Sequence, residues 1–200
     1  MTAAGIVNAS AVDPRVAWSR RVRRVGGLIQ AGFAAFWLIR GSLVIGGGAG
    51  VGLAALFSVA VVIVVTYAVR VTAGVASRPV GRDATRIERA VTLATVIQLA
   101  ASFAAPALAI ATHHSDLVLP SIAVTIGPLL LWLDHRVDIP RYRPVGWTLI
   151  IGPVVLVAAM SGPALAATTG IIAGALLLGT AAAGFRYLSR LRLRAAPAET

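Results

Sequence analysis

The chain has no cysteine and no lysine. The first absence excludes disulfides, a thiolate metal site and a cysteine nucleophile. The second leaves arginine as the only strongly basic side chain, and all 18 basic residues are arginine. With heavy use of Ala, Gly, Val and Pro, this reads as a GC-rich coding bias, not as a demand for guanidinium chemistry. Charge is scarce as well. Only 12% of the 200 residues are charged, against ~25% in a soluble domain. No polar stretch is long enough to make a second, soluble domain. Catalytic signatures are missing: there is no GxSxG, no HExxH, no Walker A loop and no GxGxxG after a strand.

What the chain does have is apolar length. It is 58% hydrophobic with a mean hydropathy of +0.87. The apolar residues come in long runs, not in amphipathic stripes, which is the pattern of a polytopic membrane protein. The net charge of +11 could suggest nucleic acid. A nucleic-acid protein gathers its basic residues on one solvated patch. Here the arginines flank apolar segments, so no nucleic-acid partner is expected.

The stretch from Val25 to Ile45 is about one bilayer long as a helix, at ~1.5 Å per residue against ~30 Å of hydrocarbon. Arg15, Arg20, Arg21, Arg23 and Arg24 precede it. The residues before them lack the order of a cleaved signal peptide, so no cleavage is expected. Asp13-Pro14 is a suitable helix start. Trp18 suits a membrane interface. The glycine run from Gly46 to Gly52 reads as a tight hairpin or a close helix contact. Further apolar segments give an all-α fold of six transmembrane helices, at about 25–45, 51–69, 90–112, 117–133, 145–161 and 167–187. A basic N-terminal tail or interfacial helix (1–24) and a basic C-terminal tail (188–200) flank this single domain. Breakers such as Pro79 and Gly81 mark the loop at 70–89.

The arginines test that count. If the N-terminus is cytoplasmic, the inner segments are the N-tail, 70–89, 134–144 and the C-tail. They hold 5, 5, 3 and, counting Arg186 at the end of the last helix with the C-tail, 4 arginines, 17 of the 18. The alternation fits the positive-inside rule. It predicts three outward-pointing hairpins in the plasma membrane, with both termini in the cytoplasm.

Polar groups inside a membrane are costly and mark candidate sites. The exceptional arginine is Arg40, near the outer end of the first helix. Asp116 is the one acid on that side, beside His113 and His114. These four could form an anion or proton site beneath the outer surface. Alternatively, Arg40 snorkels to the headgroups and the loop is solvated. Trp37, one turn before Arg40, could stack on the guanidinium in either case. Gln30 and Gln98 lie mid-helix and could glue helices or line a substrate path. Gln30, Phe33, Trp37 and Arg40 fall broadly along one side of their helix, which is expected to turn inward. Pro106, Pro120, the pair Gly127-Pro128 and the pair Gly152-Pro153 are candidate kinks, hinges or cavity formers. Asp134, His135 and Asp138 lack metal-site spacing and read as a salt-bridged loop. No catalytic residue, metal or cofactor is predicted.

The leading expectation is a small membrane transport or substrate-binding component with a polar site near the outer face. Its size, six helices and cytoplasmic ends resemble the substrate-binding membrane components of energy-coupling-factor vitamin transporters. Those dock their partner through a small-xxx-small motif on an early helix, and Ala31 and Ala35 have that spacing. A second reading is a non-catalytic assembly protein, forming homo- or hetero-oligomers through small-residue faces such as Gly170/Gly174. A third is a membrane-embedded enzyme acting on lipid. Besides the lipid bilayer, a small-molecule substrate is the expected partner.

Overall fold

A computed structural model describes residues 14–72, 82–137 and 142–195. Asp13, Pro79, Gly81, Asp138 and Arg141 lie outside them. The described chain is all-helical: α1 (Pro14–Ile45), α2 (Gly47–Thr72), α3 (Arg82–Ala111), a 3-10 turn (Ser115–Leu117), α4 (Val118–Val137), α5 (Tyr142–Ala159) and α6 (Gly162–Ala195). All six α-helices are long and apolar enough to span a membrane, the architecture of a multi-pass membrane protein. Most outward-facing side chains are apolar. In the spanning windows of α2 and α3 only 17% and 6% of residues are buried. In water such surfaces would aggregate; in lipid they are the solvated face.

Several helices are longer than their apolar runs. The basic lead-in at 14–24 is not a separate interfacial helix but the first turns of α1. Likewise α3 begins at Arg82 and α6 reaches Ala195. Arginine is a good helix former, so nothing in these segments stops a helix at the edge of the apolar zone. The stops lie elsewhere. Gly46 and Gly47 have positive φ, 75° and 59°, and turn α1 into α2. The rest of the glycine run is helical. Gly162 (φ 63°) and Pro163 start α6, with proline where its missing N–H costs nothing.

The spine of the bundle is the antiparallel pair α1 and α6, held by backbone-to-backbone approach at glycine. A Cβ on Gly170 would lie 2.7 Å from the Gly41 Cα, and one on Gly41 would lie 2.9 Å from the Ile171 amide nitrogen. A Cβ on Gly174 would meet the Leu38 side chain at 2.5 Å. Near the other end of the pair, Gly27 gives room to the Phe185 ring. These contacts are the close approach that small-xxx-small faces allow in a membrane. The Gly170/Gly174 face, expected as a surface for a partner, is buried against α1. Ala31 is also fully buried, in a cluster with Ala68, Ala181 and Phe185.

Around this spine, α2 packs on α1 and α6. The α4–α5 hairpin packs on α6, and its own helices meet where Gly127 faces Gly146. Trp37, 0% exposed, sits in the core with Leu119, Ala123 and Leu177. Helix α3 leans on α4 and the 3-10 turn, with no extended packing on α1 or α2. The contacts place the start of α1, the ends of α2, α4 and α6, and the start of α5 at one end of the bundle. For example, the Tyr67 hydroxyl donates to Ser189 Oγ at 3.0 Å. That end carries Arg24, Arg70, Arg143, Arg186 and Arg190. The opposite end carries the α1–α2 turn, the 3-10 turn and the start of α6.

Candidate functional site

Three helices turn one face each toward a common space. On α1 the facing positions are Val25, Gly26, Ile29, Gln30 and Phe33. On α3 they are Val91, Thr92, Thr95, Val96 and Gln98. On α4 they are Ile126, Leu129, Leu130 and Leu133. The three-and-four spacing of each set is that of a single helix face. Because α1 and α3 have no extended packing on each other, the space between them stays open and forms a cavity of about 390 Å³. That volume is within the ~300–1,000 Å³ of small-molecule sites. Helix α4 is the floor, Leu177 of α6 closes the deep end, and Tyr142 of α5 stands at the arginine-rich end. The cavity reaches from Val25 to Phe33 along α1, about 12 Å at ~1.5 Å per residue. It opens on the flank of the bundle, where Val25, Ile29 and Val96 are about half exposed.

The lining is apolar except for Thr92, Thr95, Tyr142 and the two glutamines. No lining residue is an arginine, histidine, aspartate or glutamate. Gln30 and Gln98 are both buried, at 8% and 7% exposed, and they are tied differently. Gln98 Nε2 donates to Ser102 Oγ at 2.9 Å. Ser102 Oγ is 2.9 Å from Thr125 Oγ1, and Thr125 donates to the Ile122 carbonyl at 2.8 Å. This chain of hydrogen bonds fastens α3 to α4. Gln30 Oε1 accepts a long bond of 3.4 Å from the Tyr142 hydroxyl. Gln30 Nε2 is buried and has no partner. An unmet buried donor costs about 1–3 kcal/mol, so it calls for an explanation.

The residues expected at the outer face are arranged differently. Arg40 is exposed and does not share the inward face of Gln30 and Trp37. The helix turn explains this: ten residues on from Gln30 is about 80° around the helix axis at ~3.6 residues per turn. His113 and His114 are exposed at the end of α3, with His113 at φ 61°. Asp116 is half-buried and accepts from the Gly162 amide at 3.3 Å, capping α6. The cavity therefore lies at the arginine-rich end, away from the Arg40, His113, His114 and Asp116 group. Trp37 stacks edge-on with Phe36 at 5.9 Å between centroids.

The prolines do not line the cavity. Pro106, Pro128 and Pro153 stand inside α3, α4 and α5 without ending them. Pro120 is in the first turn of α4, where a proline is tolerated. Gly127 serves the α4–α5 contact, and Gly152 has no close neighbour beyond Thr148 at 3.9 Å. Asp134 is half-buried with Oδ1 unpartnered, and His135 is exposed.

Sequence reasoning missed Tyr142, Thr92 and Thr95 as lining residues, and Ser102 and Thr125 as the bridge behind Gln98. A signal existed on α3: Thr92, Thr95, Gln98 and Ser102 repeat at helical spacing through an apolar segment. Comparison with family models, curated proteins and solved structures finds no match for this chain.

Proposed function

We propose that this protein is a substrate-binding component of a membrane transport system, holding a small molecule in the cavity between α1, α3 and α4. The observation that carries this reading is the unpartnered Gln30 amide lining an apolar cavity of about 390 Å³. A packing defect would be small and apolar; a binding site combines an apolar wall with a few placed polar groups. The assembly reading has lost its main support, since the Gly170/Gly174 and Ala31 faces are filled within the chain. An enzyme would need a base, nucleophile or metal at the site, and the lining holds no His, Asp, Glu, Lys, Ser or Cys.

In this reading the chain lies in the plasma membrane with both termini in the cytoplasm. The support is the gathering of arginine at one end of the bundle. The cavity then opens within the cytoplasmic half of the bilayer.

The test is to purify the protein in lipid nanodiscs, extract it with organic solvent and analyse the extract by mass spectrometry. Thr95→Trp, at an exposed lining position, fills the cavity without disturbing the core. A discrete molecule that co-purifies with the wild type and is absent from Thr95→Trp is the expected result. Identical extracts from the two proteins would refute the binding role.

A further inference from the structure

The lining restricts what the cavity can hold. This inference rests on the binding role above and names the chemistry of the occupant. Eleven of the 16 lining residues are apolar or glycine, so most of the occupant's surface is hydrocarbon. The lining holds no carboxylate, guanidinium or imidazole. A charged group placed among these side chains would be left without a counter-ion in a poorly hydrated space. The polar part of the occupant is therefore uncharged.

Its hydrogen-bonding character follows from the two glutamines. Gln98 has committed an N–H to Ser102. Gln30 lines the cavity at 8% residue exposure, and its carboxamide nitrogen is enclosed and has no acceptor. The missing partner is an acceptor, and a carbonyl oxygen is the uncharged acceptor that suits an amide donor. The route of entry follows from the open flank between Val25 and Ile29 on α1 and Val96 on α3. A molecule this apolar partitions into lipid, and the opening lies between the apolar spans of α1 and α3. We propose that the cavity binds a neutral, membrane-soluble carbonyl compound, such as a ketone, quinone or ester with an apolar body. It enters sideways between α1 and α3 and accepts a hydrogen bond from Gln30 Nε2.

The test uses three photoreactive probes of equal length in phosphatidylcholine nanodiscs, each with a diazirine at the tail. One is a long-chain methyl ketone, one the matching hydrocarbon and one the matching carboxylate. Cross-links are located by peptide mass spectrometry. The ketone should label the segments 25–33 and 91–98 about tenfold more than the hydrocarbon, the worth of one well-made hydrogen bond. Gln30→Leu should bring the ketone down to the hydrocarbon level. Equal labelling of these segments by ketone and hydrocarbon would overturn the carbonyl assignment while leaving the cavity a binding site. Preferential labelling by the carboxylate would overturn neutrality. No labelling of either segment by any probe would overturn the binding role itself. If Gln30→Leu fails to fold, the three probes on the wild type still decide.

Discussion

Adding one methyl group to the α1–α6 spine should loosen the bundle. In Gly170→Ala the new carbon would lie 2.7 Å from the Gly41 Cα, 3.0 Å from the Trp37 carbonyl oxygen and 3.1 Å from the Gly41 nitrogen. Carbon atoms in good contact are ~3.5–4.0 Å apart. All three obstacles are backbone, so no rotamer change relieves them, and the helices must part by about 1 Å. Overpacking of this kind costs about 1–3 kcal/mol. Helix propensity acts the other way, because alanine is favoured over glycine by ~0.8–1 kcal/mol. Gly179→Ala on the same helix separates the two effects, since nothing lies within 4 Å of a Cβ there. It gains the propensity without the clash. The difference between the variants should be about 1–3 kcal/mol, with Gly170→Ala the less stable. Reversible unfolding in mixed detergent and SDS micelles measures it. Equal midpoints for the two variants would refute the close-contact account of the spine.

Four further outcomes follow from the same contacts. Asp116→Ala removes the acceptor at the start of α6 and should cost about 0.5–1 kcal/mol, seen as a lower thermal midpoint. Arg40→Ala should leave that midpoint unchanged, because the side chain is exposed. Gln30→Leu loses a 3.4 Å bond but also removes an unmet buried donor, so stability should hold or rise while ligand retention falls. A chain without cysteine makes any introduced cysteine a unique reporter. Ser115→Cys should react in intact cells with a membrane-impermeant maleimide, and Thr200→Cys should react only after lysis. The reverse pattern would invert the proposed topology.

The six helices were legible because lipid contact demands long apolar runs, and nothing else in this composition makes them. Their ends were less legible. Arginine continues a helix beyond the apolar zone without a local signal, so α1, α3 and α6 overran the expected limits. Inward-facing positions were partly readable: Gln30, Trp37 and Gln98 stood out as polar or bulky groups in apolar helices, and all three are buried. Of the four positions expected along one inward face, Gln30, Phe33, Trp37 and Arg40, only Arg40 is exposed, since a spacing of ten residues carries a side chain well around the helix. The cavity could not be read at all. It exists because α1 and α3 make no extended contact, and a missing contact leaves no mark in either helix's own sequence. The Gly170/Gly174 pair was visible as a contact surface, but only tertiary structure could say that its partner was α1.

The spine joins the two ends of the chain, and that sets the order of assembly. Gly41 and Gly170 are 129 positions apart. At a synthesis rate of ~5–20 residues per second, α1 waits roughly 6–26 s for α6 to emerge. During that interval α2, then α4, are its available neighbours, and the surface around Gly41 has no permanent cover. A chain cut short before α6 never completes this pairing. An unfinished product therefore presents a persistently uncovered first helix, a feature by which membrane proteases and insertion chaperones could distinguish it from the finished bundle.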